Sequence, residues 1–310
     1  MNPAYSVIFL TTLIGAAQGL FIALWGADLA GVAQFEGGRS FLVTGGVVAL
    51  VLTGAGLVSS FFHLGRPERA WRTATMWRTS WLSREVIALP LFMGTVFLWT
   101  VAHAMGLGNT LALGVLAALA TVTLFVCTAM IYACIKFLQE WASPFTLVNY
   151  ALLGLASGCT LATAMAGMAA PALVSVFGNA ALLFTAVGLV SRSLSLARNA
   201  RLVPRSTLQT AIGIRHPKIT QRAQGFMGGS FNTREFFHGR APGTLRHVKT
   251  GFLVGAFVLP LPLLALGVAS GAAAWLALAF AVQYAGLLAE RWFFFAQANH
   301  PQNLYYQAVS

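Results

Sequence analysis

Eight stretches of almost uncharged apolar sequence, each long enough to cross a lipid bilayer, fill most of this 310-residue chain. About 20 apolar residues, rising roughly 1.5 Å each, cover a hydrocarbon core of about 30 Å. Inside that core every backbone N–H and C=O must be satisfied within the protein, which for separate segments of this length means helix. The stretches run 5–33, 41–62, 85–105, 111–132, 147–168, 172–194, 250–268 and 272–295. The first is too long for a cleavable signal peptide and lacks its basic flank, so it is expected to be a true span. With 58% hydrophobic and 8% charged residues the composition excludes an ordinary soluble domain. The expected fold is an all-α membrane protein, a single transmembrane domain over 1–310 in which eight transmembrane helices form a polytopic bundle.

An even number of spans puts both termini on one side. Of the 19 Lys and Arg residues, 18 fall on that side and Arg39 alone on the other; without the segment 192–249 the ratio is still seven to one. The positive-inside rule then places both termini and the basic loops in the cytoplasm, with the protein in a bacterial inner membrane. The most basic connection, 195–249 between helices six and seven, becomes a long cytoplasmic loop. Its charge suits anionic lipid headgroups or an acidic partner.

Resident metal cofactors fit the sequence poorly. Cys127, Cys134 and Cys159 are all expected inside spans and form no CxxC pair. An iron–sulfur cluster takes four ligands, so no iron–sulfur cluster is expected in this chain, and the cysteines read as small buried packing residues. A transmembrane haem needs two imidazoles facing each other at one depth. His63 ends the second span on the cytoplasmic side and His103 sits near the far end of the third, most of a membrane thickness away, while His216 and His238 sit in the long loop and His300 in the tail. That leaves His63 with His247, and no haem is expected. Ionisable residues inside the spans are few, chiefly Asp28 near the far interface and Glu290 near the cytoplasmic end of the last helix. No chain of acids crosses the core, so no proton pumping is expected.

Two basic-side segments carry the chemistry. The first contains His63-Leu-Gly-Arg-Pro67, Trp71, and Trp77-Arg-Thr-Ser-Trp-Leu-Ser-Arg-Glu85. Gly65 and Pro67 are expected to stop the second helix just after His63. Ser83 is expected to cap the third, putting Glu85 in its first turn. Both ionisable groups then lie in one interfacial layer, flanked by Trp71, Trp77 and Trp81. A hydrogen-bonding imidazole, a carboxylate that exchanges protons and aromatic walls are what a quinone head group would use. The same residues also fit an ordinary interfacial tryptophan belt and an acid favoured at a helix N-terminus.

The second segment, 215–240, interleaves Arg215 and Arg234 with Phe226, Phe231, Phe236 and Phe237. Such a loop is too aromatic for a solvated linker and suits a docking face for a soluble subunit. Nucleic acid is not an expected partner, because no binding module is recognisable. Gly225-Phe-Met-Gly-Gly follows no strand and lacks Gly-Lys-Ser/Thr, so it is no phosphate loop.

At these residues, His-Leu-Gly-Arg-Pro at 63–67, Trp-Leu-Ser-Arg-Glu at 81–85 and Gln-Gly-Phe-Met-Gly-Gly-Ser-Phe-Asn-Thr-Arg-Glu-Phe-Phe-His-Gly at 224–239, the chain resembles the membrane-anchor subunit of dimethyl sulfoxide reductase type enzymes. The resemblance implies a complex of three subunits. The anchor would exchange electrons between membrane quinone, menaquinone or ubiquinone, and a four-cluster iron–sulfur subunit carrying [4Fe-4S] centres. That subunit would serve a catalytic subunit holding a molybdenum bis-pterin guanine dinucleotide cofactor. The family's quinol-site histidine and glutamate carry over to His63 and Glu85. Arg66, Arg69 and Arg84 are supporting candidates for the quinone or for docking. Two other readings stand beside this one. A secondary transporter would use helices broken at Pro90, Pro144 and Pro171, and a purely structural anchor would leave quinone chemistry to its partner.

Overall fold

Every one of the apolar stretches is helical in the computed structural model of the protein, which describes residues 1–220, 222, 236–301 and 303. The spans are α1 Tyr5–Leu29, α2 Gly38–Phe61, α3 Trp81–Ala104, α4 Leu111–Ala133, α5 Pro144–Ala169, α6 Val174–Ala200, α7 Pro242–Ser270 and α8 Ala273–Ala296. Among the described residues there is no strand. Pro144 and Pro171 stand at helix starts, where a missing N–H costs nothing, and α3 runs through Pro90 without a break.

Several boundaries differ from the sequence reading. Positive φ at Gly31 (82°) starts a 3-10 turn, Val32–Gln34, so α1 ends at Leu29 rather than continuing to residue 33. The third helix is capped one turn earlier than expected. Ser80 is its N-cap, with extended backbone and its Oγ accepting from the Ser83 N–H at 3.3 Å, so Ser83 lies inside the helix and Glu85 in its second turn. Trp81 and Leu82 are apolar enough to extend the span outward. The 195–249 connection is shorter than its sequence suggests, because α6 runs to Ala200, α7 starts at Pro242 and a five-residue helix, Leu208–Ile212, lies between them. Cys127 and Cys159 are buried as expected, whereas Cys134 is exposed at the end of α4.

Lipid tails are as apolar as leucine, so these helices gain little by hiding apolar side chains from lipid and associate through close packing. α1 and α5 approach closely at two glycine pairs spaced one turn apart. A Cβ on Gly19 would lie 2.0 Å from the Gly154 carbonyl oxygen, and one on Gly158 would lie 2.1 Å from the Leu20 nitrogen. Around this contact α2 and α4 pack on α1, α6 on α5, and α8 on α5 and α7. Buried threonines add no unmet polar groups, since Thr53, Thr100, Thr121, Thr160 and Thr163 each donate to a carbonyl one turn back.

Proline shapes α7. Pro260 has no N–H for the carbonyl of Ala256, and the helix passes there through a π-helical turn, Val254–Val258. The Gln283 amide of α8 donates to that Ala256 carbonyl at 3.4 Å and to Thr185 Oγ1 at 2.9 Å. Proximity is possible because Gly286 of α8 sits against the backbone of Ala256, where a Cβ would be 2.1 Å from its nitrogen.

Near the terminal side, a buried charge cluster joins α6 and α8. Arg192 Nε lies 2.7 Å from Glu290 Oε1 and Arg291 Nε 2.5 Å from Glu290 Oε2. Arg291 also stacks over Tyr150 of α5, its Cζ 4.2 Å from the ring centre, and Arg192 faces Phe252 of α7 at 5.5 Å. Arginine suits such a place because its flat guanidinium pairs with a carboxylate and packs on aromatic faces at once.

Two substitutions test this packing. Gly158→Val should drive α1 from α5 and lower stability by about 1–3 kcal/mol, or block folding, seen as a lower unfolding midpoint in detergent. Glu290→Gln strands two buried guanidinium groups and should cost about 3–5 kcal/mol in the same assay.

Candidate functional site: the Glu85 cavity

Glu85 projects from the second turn of α3 toward α4, where Thr128 Oγ1 donates to its Oε1 at 2.5 Å. The short length is that of a hydroxyl bonded to a carboxylate. Behind it lies a small cavity of about 30 Å³, bounded by Glu85, Thr128, Gln18 of α1, Tyr150 and Ser157 of α5 and Arg291 of α8. That volume suits about one water molecule, so a redox ring would enter only with movement of the apolar side chains at its mouth. The Tyr150 hydroxyl is buried in this wall and makes no hydrogen bond of good geometry. Carboxylate, hydroxyls and guanidinium thus converge where five helices meet, a site able to accept, hold and release a proton beside the bilayer.

His63 has different surroundings. It follows the end of α2, is exposed, and does not line the Glu85 cavity. Partial loss of hydration still pushes its imidazole below the ordinary histidine range, favouring the neutral ring that can both donate and accept. After it, Pro67–Met76 forms a 3-10 helix over the membrane surface. Trp71 and Trp77 are exposed on this layer, while Trp81 is partly buried against the core. None of the three lines the Glu85 cavity.

The arginines divide similarly. Arg84 is tied to its own loop, donating to the carbonyls of Trp77 at 2.9 Å and Arg78 at 2.8 Å and lying 4.2 Å over the Trp81 ring. It braces the start of α3. Arg66 is exposed, and Arg69 makes an exposed pair with Glu68 at 3.8 Å of little energetic weight.

Of the proposed docking residues, Phe226, Phe231 and Arg234 lie outside the described residues. Arg215 is exposed. Phe236 turns back on its own chain, stacking on His300 at 3.8 Å, and its carbonyl accepts from Asn303 Nδ2 at 3.4 Å. Phe237 is half-buried. This end of the loop is therefore held against the C-terminal tail.

Sequence reasoning missed Thr128, Tyr150, Arg192 and Arg291. Their only advance signal was the Glu290-Arg291 pair inside an apolar run, which in a membrane demands a counter-charge nearby. Arg192, read as a topology charge at the edge of the long loop, is that counter-charge.

Comparison with known proteins agrees with this architecture. A family model described as "DMSO reductase anchor subunit (DmsC)" matches residues 1–214. Over the full length of both chains, the protein is 53% identical to a sulfite dehydrogenase subunit of Allochromatium vinosum (strain DSM 180). It is 30% identical to "Anaerobic dimethyl sulfoxide reductase chain YnfH" of Escherichia coli (strain K12) over 136 residues, 43% of this chain and 48% of that one. With eight apolar helices and a family match across two thirds of its length, the chain is an integral membrane protein that belongs to the DMSO reductase anchor-subunit family.

Proposed function

We propose that this chain is the quinone-reactive anchor of a molybdenum oxidoreductase, exchanging electrons between menaquinone or ubiquinone and a docked four-cluster iron–sulfur subunit. The observation that carries the reading is Glu85, a carboxylate at the bilayer edge that adjoins an internal polar cavity and holds a single strong hydrogen bond. Its position within the motif shared with the family adds to this. In the partner subunits, [4Fe-4S] clusters supply one-electron transfer and a molybdenum bis-pterin guanine dinucleotide centre supplies the chemistry on the final substrate.

For quinol oxidation, quinol gives up two protons and two electrons. Glu85 would take one proton from the hydroxyl nearest the bundle while Thr128 fixes the carboxylate, the second proton would leave to water at the outer rim, and both electrons would pass to the docked subunit, whose clusters would supply one-electron transfer. His63, outside the cavity, binds the oxygen at the outer rim with its neutral ring, and Trp71, Trp77 and Trp81 with Arg66 form the surface over which the head group passes. The full-length similarity to a protein named for sulfite dehydrogenase favours the opposite flow, from sulfite or a related oxyanion into quinone. The same groups then act in reverse, Glu85 delivering its proton. Positive charge on the terminal side supports a cytoplasmic placement of both termini, the site and the partner in a bacterial inner membrane, with the exposed Arg215 among the residues that would meet that partner.

The placement of His63 apart from the cavity is also what a purely structural anchor would show, and single substitutions separate the two readings. Glu85→Gln should lower quinone-linked turnover of the assembled complex by about a hundredfold, within the usual range for losing a proton-transfer group, with dye-linked turnover unchanged. Thr128→Val should lower it by about tenfold, and His63→Gln should raise the KM for quinone. Full quinone-linked turnover in both Glu85→Gln and His63→Gln, with assembly intact, assigns quinone chemistry to the partner instead.

A further inference from the structure

The face opposite the termini carries two charges that local helix electrostatics oppose. Asp28 is in the last turn of α1, next to the negative end of its dipole, and Arg39 is in the first turn of α2, next to the positive end. Arg39 is also the one Lys or Arg on this side of the sequence. Asp28 is nonetheless held in place. Asp28 Oδ2 accepts from Trp99 Nε1 at 3.2 Å and Thr110 Oγ1 at 3.3 Å, and lies 3.0 Å from Nε2 of the buried His103. Those three partners come from α3 and from the cap of α4, and all of them meet one oxygen. The Arg39 guanidinium lies against Gly106, whose φ of 71° suits glycine and where a Cβ would be 2.8 Å from Nη1.

Asp28 and Arg39 do not pair with each other: among the described residues, Arg39 has no carboxylate within ion-pair distance. Both line one cavity of about 490 Å³, together with His103, Gln34 and Asn109. Its remaining wall includes Leu29, Leu107 and Leu111, each more than half exposed on a surface that faces lipid. The volume is more than ten times the roughly 30 Å³ of a water molecule. A simple cation in this space would meet Arg39, and a simple anion would meet Asp28. A molecule carrying both signs satisfies both walls, and the layer in which the cavity opens is where phospholipid headgroups lie.

We propose that this cavity binds the headgroup of a zwitterionic phospholipid with a primary ammonium, of the phosphatidylethanolamine class. The ammonium faces the Asp28 carboxylate, the phosphate faces Arg39 as a guanidinium partner, and the acyl chains run down past the leucines. A primary ammonium has N–H groups to give Asp28, which a quaternary choline lacks. Binding would tie the ends of α1 and α3 to the start of α2 on the side away from the redox site.

The test uses the purified complex, stripped of lipid with detergent and then given equal amounts of phosphatidylethanolamine, phosphatidylcholine and phosphatidylglycerol, with retained lipid counted by native mass spectrometry. The wild-type complex should keep phosphatidylethanolamine in preference to the other two. Arg39→Gln, a change at an exposed side chain, should reduce its retention by about tenfold, as loss of a charged hydrogen bond does, with quinone-linked turnover unchanged. Asp28→Asn should remove the preference for phosphatidylethanolamine over phosphatidylcholine. Equal retention of the three lipids by the wild type, or undiminished phosphatidylethanolamine in Arg39→Gln, overturns the proposal. Binding of free phosphoethanolamine without selective lipid retention overturns the lipid assignment. Neither result depends on the quinone reading, since retention is counted without turnover.

Discussion

The contact of α1 with α5 at Gly15, Gly19, Gly154 and Gly158 sets the geometry on which the bundle depends. Backbones brought this close bring helices far apart in sequence to one centre, and the Glu85 cavity lies along the same seam, between Gln18 of α1 and Tyr150 and Ser157 of α5. In water such an arrangement would rest on burying apolar surface. In lipid it rests on shape, because only glycine leaves the space and dispersion contacts replace the missing hydrophobic drive. Bulk elsewhere is arranged around this absence of bulk: Phe21 meets Trp99 edge-on at 5.4 Å, and Phe125 lies where a side chain on Gly154 would be.

Charge within the membrane is handled differently on the two sides of the cavity. Arg192, Glu290 and Arg291 pair with one another and pack on aromatic neighbours as an internal clamp, joining α6 to α8 and α8 to α5. Glu85 has one hydroxyl partner and no cation paired with it among the described residues. A carboxylate locked between guanidinium groups is fixed in one charge state, whereas one held by a threonine can change state at lower cost. The difference explains why, of the two intramembrane glutamates on this side, the one suited to proton exchange is the less tightly held.

Much of the fold was legible because lipid imposes a single rule that hydropathy reports directly, and all eight spans sit where apolar sequence put them. Their ends were less legible. Ser80 and Ser83 are both competent caps, and only the tertiary placement of Trp81 against the core selects the first. Side-chain direction was not legible at all. The spacing of His63 and Glu85 put them in one layer but said nothing of which way around its helix each would face, and Glu85 turns inward to Thr128 while His63 remains outside. Arg192 was similarly hidden, since a basic residue a few positions from a basic loop looks like a topology charge until the helix is seen to run on to Ala200 and carry it inside.

Charged side chains within the helices gather toward the two ends of the bundle. On the terminal side, Glu85 turns inward near the start of α3, and the Arg192, Glu290 and Arg291 cluster joins α6 to α8. The opposite end holds Asp28, His103 and Arg39. There, Asp28 ties the end of α1 to α3 and the cap of α4 through Trp99, His103 and Thr110, so polar contacts join helices at both ends of the bundle, and between them the glycine seam of α1 and α5 keeps the helices in register.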